Sequence, residues 1–157
     1  MIRFSTGLRN ALATQYGLGI LMDGGIIRVY NGVIPSSPDK PPLGVELGRI
    51  TTEAKTFNPG NDIANAGLRL LFMSPGILVQ AGDWKLKGLS SGTATWWRWN
   101  WSGPDSNHES SLYPRVDGLI GSIGQENKEL LLVTTAMTSQ TLVTIENFVV
   151  VLNLEHS

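Results

Sequence analysis

The sequence predicts an all-β fold: a jelly-roll-like β-sandwich of about eight strands with a short N-terminal helix. Three observations predict it. From residue 24 onward, short alternating or apolar runs recur, separated by clusters of Gly, Pro, Asn and Ser. Helical spacing occurs in one stretch only, near the N-terminus. The segment "TATWWRWNW", residues 93–101, sets four tryptophans into a run that alternates as a strand does.

The 157 residues fit one domain, 1–157, with an arm and helix over 1–23 and the sandwich over 24–157. In "STGLRNALATQYG", Ser5 or Thr6 can cap free N–H groups. Leu8, Ala11 and Leu12 share a face, and Gly17 can end the helix. After Gly24-Gly25 the period becomes that of a strand. "IIRVYNG" puts Ile27 and Val29 on one side, with Ile26, Arg28 and Tyr30 on the other. A proline-rich loop covers 33–44, "VELGRITT" alternates again, and a long polar loop covers 53–66. The runs "LRLLFM", "ILVQ", "WKLKG", "TATWWRWNW", "RVDGLIGSI", "ELLLVTT" and "TLVTIENFVVVLNL" follow at short intervals.

Alternation places Trp97, Trp99 and Trp101 on one face of their strand, and Trp96, Arg98 and Asn100 on the other. The first set reads as a core stripe. An outward Trp96/Arg98 pair reads either as a contact surface, since both residue types are enriched at interfaces, or as a surface indole covered by its own neighbour. A sugar-stacking platform is the sharper alternative. It needs rings in water with acids or amides nearby, and Asp105, Asn107 and Glu109 lie close in sequence. With His108 these three also suggest a calcium loop, yet they lack the required spacing. In the closing run, Phe148, Val150 and Leu152 alternate with Val149 and Val151, so both faces are apolar. Such a strand needs cover on both sides, from the N-terminal helix, another subunit or both.

Composition narrows the function. The chain has no cysteine, which excludes disulfides, Cys-ligated zinc and thiol catalysis, and only two histidines, His108 and His156. Formal charge is −1, without the basic excess of a nucleic-acid binder. Neither a secretory signal nor a membrane-length apolar run is read. Residues 1–22 hold Arg3 and Arg9 and no Asp or Glu, an arm suited to an acidic protein surface. Nucleophile elbow, phosphate loop, zinc-helix and dinucleotide motifs are all missing. The acid pair Glu126/Glu129 sits in a polar turn. The reading is of a non-enzyme, with no catalytic, cofactor or metal residues assigned.

The segments "STGLRNAL", "GGIIRVYNGVIP", "GTATWWRW", "PRVDGLIGSIG" and "IENFVVVL" together resemble a family of small β-rich virion proteins of tailed bacteriophages. The resemblance spans nearly the whole chain and rests on order and spacing. The stretches 33–44 and 53–66 look longer than in that family. It implies a structural protein of the virion, assembled in the host cytoplasm, without enzymatic activity or cofactor. The leading expectation is a capsid decoration or cement protein that binds the major capsid protein or other virion proteins, as a homo-oligomer, without nucleic acid or membrane. A tail, baseplate or fibre-associated protein is the alternative, followed by a glycan-binding module. Interface candidates are Arg3, Leu8, Arg9 and Leu12, through arm docking, and Trp96 and Arg98. On that reading, deleting residues 1–16 removes particle binding and leaves a folded sandwich.

Overall fold

The computed structural model describes residues 2–14, 16–60, 66–125 and 128–152. Strands hold 42% of the described residues and helices 9%, so the fold is all-β, with antiparallel sheets. In chain order the elements are β1 (Arg3–Phe4), α1 (Thr6–Thr14), α2 (Leu18–Leu21), β2 (Ile26–Tyr30), β3 (Glu46–Thr52), β4 (Arg69–Ser74) and β5 (Ile77–Ala81). They continue with β6 (Trp84–Gly88), β7 (Gly92–Thr93), β8 (Trp96–Asn100), β9 (Arg115–Ser122), β10 (Leu130–Leu132), β11 (Ala136–Met137), β12 (Leu142–Ile145) and β13 (Val149–Val151).

The main sheet runs β1-β9-β8-β2-β3-β6-β12, with β10 joining β9 in parallel. A three-stranded sheet, β13-β5-β4, and a two-stranded one, β11-β7, complete the set. Register in the main sheet follows the apolar pattern. Ile27 lies opposite Ile50 and Trp99, and Val29 opposite Gly48 and Trp97. Those residues, with Trp84, Leu86, Val116 and Ile145, form the core face. The inner residues of the three-stranded sheet, Leu70, Leu78 and Val150, pack against the same core, as does Phe148 just before β13.

Phe148 is the hub of that core. Its ring centroid lies 5.2 Å from Trp97, 5.4 Å from Trp84 and 5.9 Å from Trp99, while Trp84 meets Trp99 edge-on at 5.5 Å. Each buried tryptophan is worth very roughly 4–6 kcal/mol as an upper bound. The core stripe holds Trp97 and Trp99 but not Trp101. β8 ends at Asn100, and Trp101 is half-buried beside Tyr113, 6.2 Å between centroids.

Three expectations are corrected here. A second helix, α2, exists; four residues are too short for a 3.6-residue period to register. The closing run is not one strand. β12 pairs with β6 in the main sheet, the chain turns through Glu146-Asn147, and β13 pairs with β5 in the small sheet. A strand that changes sheets presents different faces to the core before and after the switch, which imitates one strand apolar on both sides. Its last expected residues, 153 and 154, lie outside the described residues. The N-terminal segment is not a free arm either: Arg3 and Phe4 pair with Asp117 and Val116 of β9.

Candidate functional site

Ser5 starts α1 by accepting a hydrogen bond from the Leu8 N–H at 3.1 Å. The same hydroxyl donates to the Tyr113 carbonyl at 2.8 Å and accepts from the Arg115 N–H at 2.9 Å. Asp39, from the proline-rich loop, accepts from the Thr6 N–H at 2.8 Å, a carboxylate placed where the helix dipole favours it. Gly7 is needed because a Cβ there would overlap the Leu112 carbonyl. One helix end is thus clamped by two separate loops.

Those loops bury the β8 and β9 part of the outer face of the main sheet, which alternation alone assigns to solvent. Trp96 and Arg98 are 0% exposed. Trp96 stacks on Tyr30 at 4.4 Å, and its indole N–H donates to the Asn31 carbonyl at 3.0 Å. Arg98 forms a two-fold ion pair with Asp117, at 2.7 and 2.9 Å. The outward Trp96/Arg98 contact surface is therefore corrected: the two side chains lie in a second, polar core.

A further pair extends that core. Arg115 donates to both oxygens of Asp105, at 2.7 and 2.6 Å, and to the carbonyls of Pro38 and His108. Asn100 donates to Asp105 and Asn107, each at 2.9 Å, and Asn107 donates to the Tyr30 hydroxyl at 3.2 Å. Burial pushes the Asp105 carboxyl up, but donation from Arg115, the Asn107 N–H and Asn100 together holds it below its ordinary 3.8. At Asp117 burial wins over Arg98 and lifts the carboxyl above 3.8. Burial, then Glu46, raises the Tyr30 phenol to about 12.

Asp105 and Asn107, weighed as sugar or calcium ligands, thus point inward and are already engaged. Glu109 lies outside, paired with Lys40 at 2.5 Å. Among the described residues no group of three or more His, Cys, Asp or Glu side chains is arranged to hold a metal ion. Trp96, Trp97 and Trp99 present no ring to solvent, so β8 offers no stacking platform. Glu126 and His156 lie outside the described residues.

The remaining interface candidates are dispersed. Leu8 is fully buried in the core and Leu12 packs against it half-buried. Arg3 donates to the Pro35 carbonyl, while Arg9 is exposed and donates to the Thr6 hydroxyl at 3.2 Å. Arm docking through Leu8 is corrected, since that side chain holds α1 onto its own sheet.

Two features of the surface were not singled out in the sequence. The first is a row of cations interrupted by one acid, buried at Asp117 and Arg98 and exposed at Arg49 and Lys87. Arg3, Asp117, Arg98, Arg28, Arg49 and Lys87 lie directly opposite one another in turn across β1, β9, β8, β2, β3 and β6. Glu46 accepts from Arg28 at 3.4 Å and from Arg49 at 2.6 Å. The Nη1 of Arg98 and Nε of Arg28 are buried without a hydrogen-bond partner. Strand alternation places each of these residues on its face, but which strands are neighbours is a long-range property.

The second feature is the outer face of the small sheet. Leu71, Val79 and Val149 form one row, flanked by Ile77 and Val151. Leu71, Met73 and Val151 are exposed at 58, 68 and 57%, and Phe72 at the sheet edge at 70%. β4 has no strand on its far side among the described residues. Comparison with protein-family models, curated proteins and solved structures finds no match for this chain.

Proposed function

We propose that this chain is a non-enzymatic assembly protein whose work is adhesion. In its most specific form it is a capsid decoration or cement protein of a tailed bacteriophage, binding and stabilising neighbouring major capsid subunits. The observation that carries the reading is the outer face of the three-stranded sheet. The chain buries tryptophans and even paired arginines, yet leaves Leu71, Phe72, Met73 and Val151 in water beside a strand edge that no strand pairs among the described residues. A contiguous apolar face of this kind marks an interaction surface and, left bare, an aggregation hazard. The adhesive surface is accordingly assigned to this sheet, in place of the N-terminal segment.

The jelly-roll-like path belongs to the same proposal, with the main and small sheets as its two layers. So does homo-oligomerisation around a shell symmetry axis. A cement protein of this design spreads modest contacts over several subunits, so that multivalency slows release without one tight site. The virion assignment itself rests on the family resemblance.

Counting copies of the chain in purified virions tests the reading. A number on the scale of the shell's subunits supports decoration; a handful moves the protein to the tail; absence overturns the proposal. Leu71→Asp with Met73→Asp is expected to fold and to lose particle occupancy.

A further inference from the structure

The exposed end of the cationic row opens onto a trough of about 220 Å³ on the outer face of the main sheet. Arg49 of β3 and Lys87 of β6 form its floor, Lys55 and Phe57 stand on one wall, and Leu89 and Gln140 on the other. We propose that this trough binds a carboxylate-bearing segment of another polypeptide, an acidic side chain flanked by an apolar one. The inference stands apart from the adhesive face of the small sheet and does not depend on it.

Charge is the first support. Arg49 and Lys87 are directly opposite across two strands, an arrangement that costs stability for like charges. Glu46 partners Arg49, but Lys87 has no acidic partner among the described residues. Behind them stands Arg28, whose Nε has no acceptor, and Glu46 is shared between both arginines. Lys55 is paired with Glu53 at 3.0 Å. Four cations thus face two carboxylates, leaving room for an incoming acid beside Lys87.

Strain is the second. Glu53, Ala54 and Gln140 hold positive φ values of 55, 59 and 68°, and they belong to the loops that build the two walls. Non-glycine residues in this left-handed region are uncommon and gather where a surface is shaped for a ligand. Gln140 is fixed there by donation of its N–H to the Gly88 carbonyl at 2.9 Å, and Glu53 by donation to the Asp83 carbonyl at 2.7 Å.

The walls decide between kinds of anion. Phe57 and Leu89 line the trough beside its cations. A bare inorganic anion or a sulfated sugar leaves those apolar surfaces wet, whereas a peptide covers them while its carboxylate meets Lys87.

The experiment is an amide NMR titration of the full chain with a blocked peptide alternating Glu and Leu. Its Gln-for-Glu counterpart, inorganic phosphate and a sulfated oligosaccharide are run as separate arms. Saturable shifts at Arg49, Thr51, Lys87 and Gln140 are expected with the acidic peptide, weakened about threefold to fivefold by Lys87→Gln and removed by Lys87→Glu. The same spectra report that each variant is folded. The inference is overturned by absent shifts, by equal binding of the Gln peptide, or by an affinity unchanged in Lys87→Gln. Phosphate or the sulfated sugar binding as tightly as the acidic peptide overturns it as well.

Discussion

Arg98 and Asp117 face each other across β8 and β9 with no solvent exposure on either side chain, joined by two hydrogen bonds of 2.7 and 2.9 Å. Both are taken out of water, and the Nη1 of Arg98 gains no partner in return. The pair is therefore more costly to break than it is valuable to keep. Asp117→Asn is expected to lower unfolding free energy by about 3–5 kcal/mol, because it strands a buried guanidinium. The double replacement Arg98→Met with Asp117→Leu should lose far less. Urea denaturation decides: equal losses for the single and double variants contradict this account.

The pH profile follows from three buried acids pulling in different directions. Asp105 is held below 3.8, so its contribution is complete above 3.8 and disappears as pH falls through its lower folded value. Asp117 is lifted above 3.8, so its contribution is complete below 3.8 and lost as pH rises through its raised folded value. Acidification thus removes one contribution while restoring the other. Asp105→Asn is expected to be less stable at neutral pH yet to gain stability on acidification, visible in urea midpoints from pH 7 downward. At the alkaline end, Tyr30 remains protonated in the fold up to about 12, whereas in the unfolded chain it ionises near 10.0. Stability should fall over that interval, and Tyr30→Phe should remove this part of the loss.

Leu8 holds α1 to the sheet, and Ser5 ties the helix start to Tyr113 and Arg115. Leu8→Ala is expected to cost about 2–5 kcal/mol, the range for emptying a packed core site. Deleting residues 1–16 removes β1 as well and uncovers the edge of β9, so the truncated chain should fail to give a cooperative thermal transition. A truncated chain that melts as sharply as the full one restores the free-arm picture.

The sequence made some of this legible and hid the rest for definite reasons. Alternation identified Trp97 and Trp99 as core because a strand's two-residue period is local. The same alternation put Trp96 and Arg98 in solvent, since nothing local records that residues 31–45 and 101–114 fold back over them. Asp117 and Arg115 carried a usable signal: charges inside the run "RVDGLIGSI" call for buried partners. The cationic row required knowing that β2 lies between β8 and β3, which depends on long-range pairing. The apolar face of the small sheet was half visible in Val149 and Val151, but its other half, Leu71 and Met73, comes from a strand nearly eighty residues earlier.

Phe148 gives the sharpest test of the sheet switch. Its ring reaches three tryptophans from a position just after the turn at Glu146-Asn147, while Val151, three residues on, is 57% exposed. Were residues 141–154 a single strand covered on both faces, both side chains would be buried and both truncations costly. With the switch, Phe148→Ala leaves a void among indoles and should cost about 3–5 kcal/mol, whereas Val151→Ala should stay within about 0.5 kcal/mol. Near-ultraviolet circular dichroism should weaken in the first variant only, because Phe148 fixes the rings of Trp84, Trp97 and Trp99. Comparable losses for the two variants would contradict the division of this segment between two sheets.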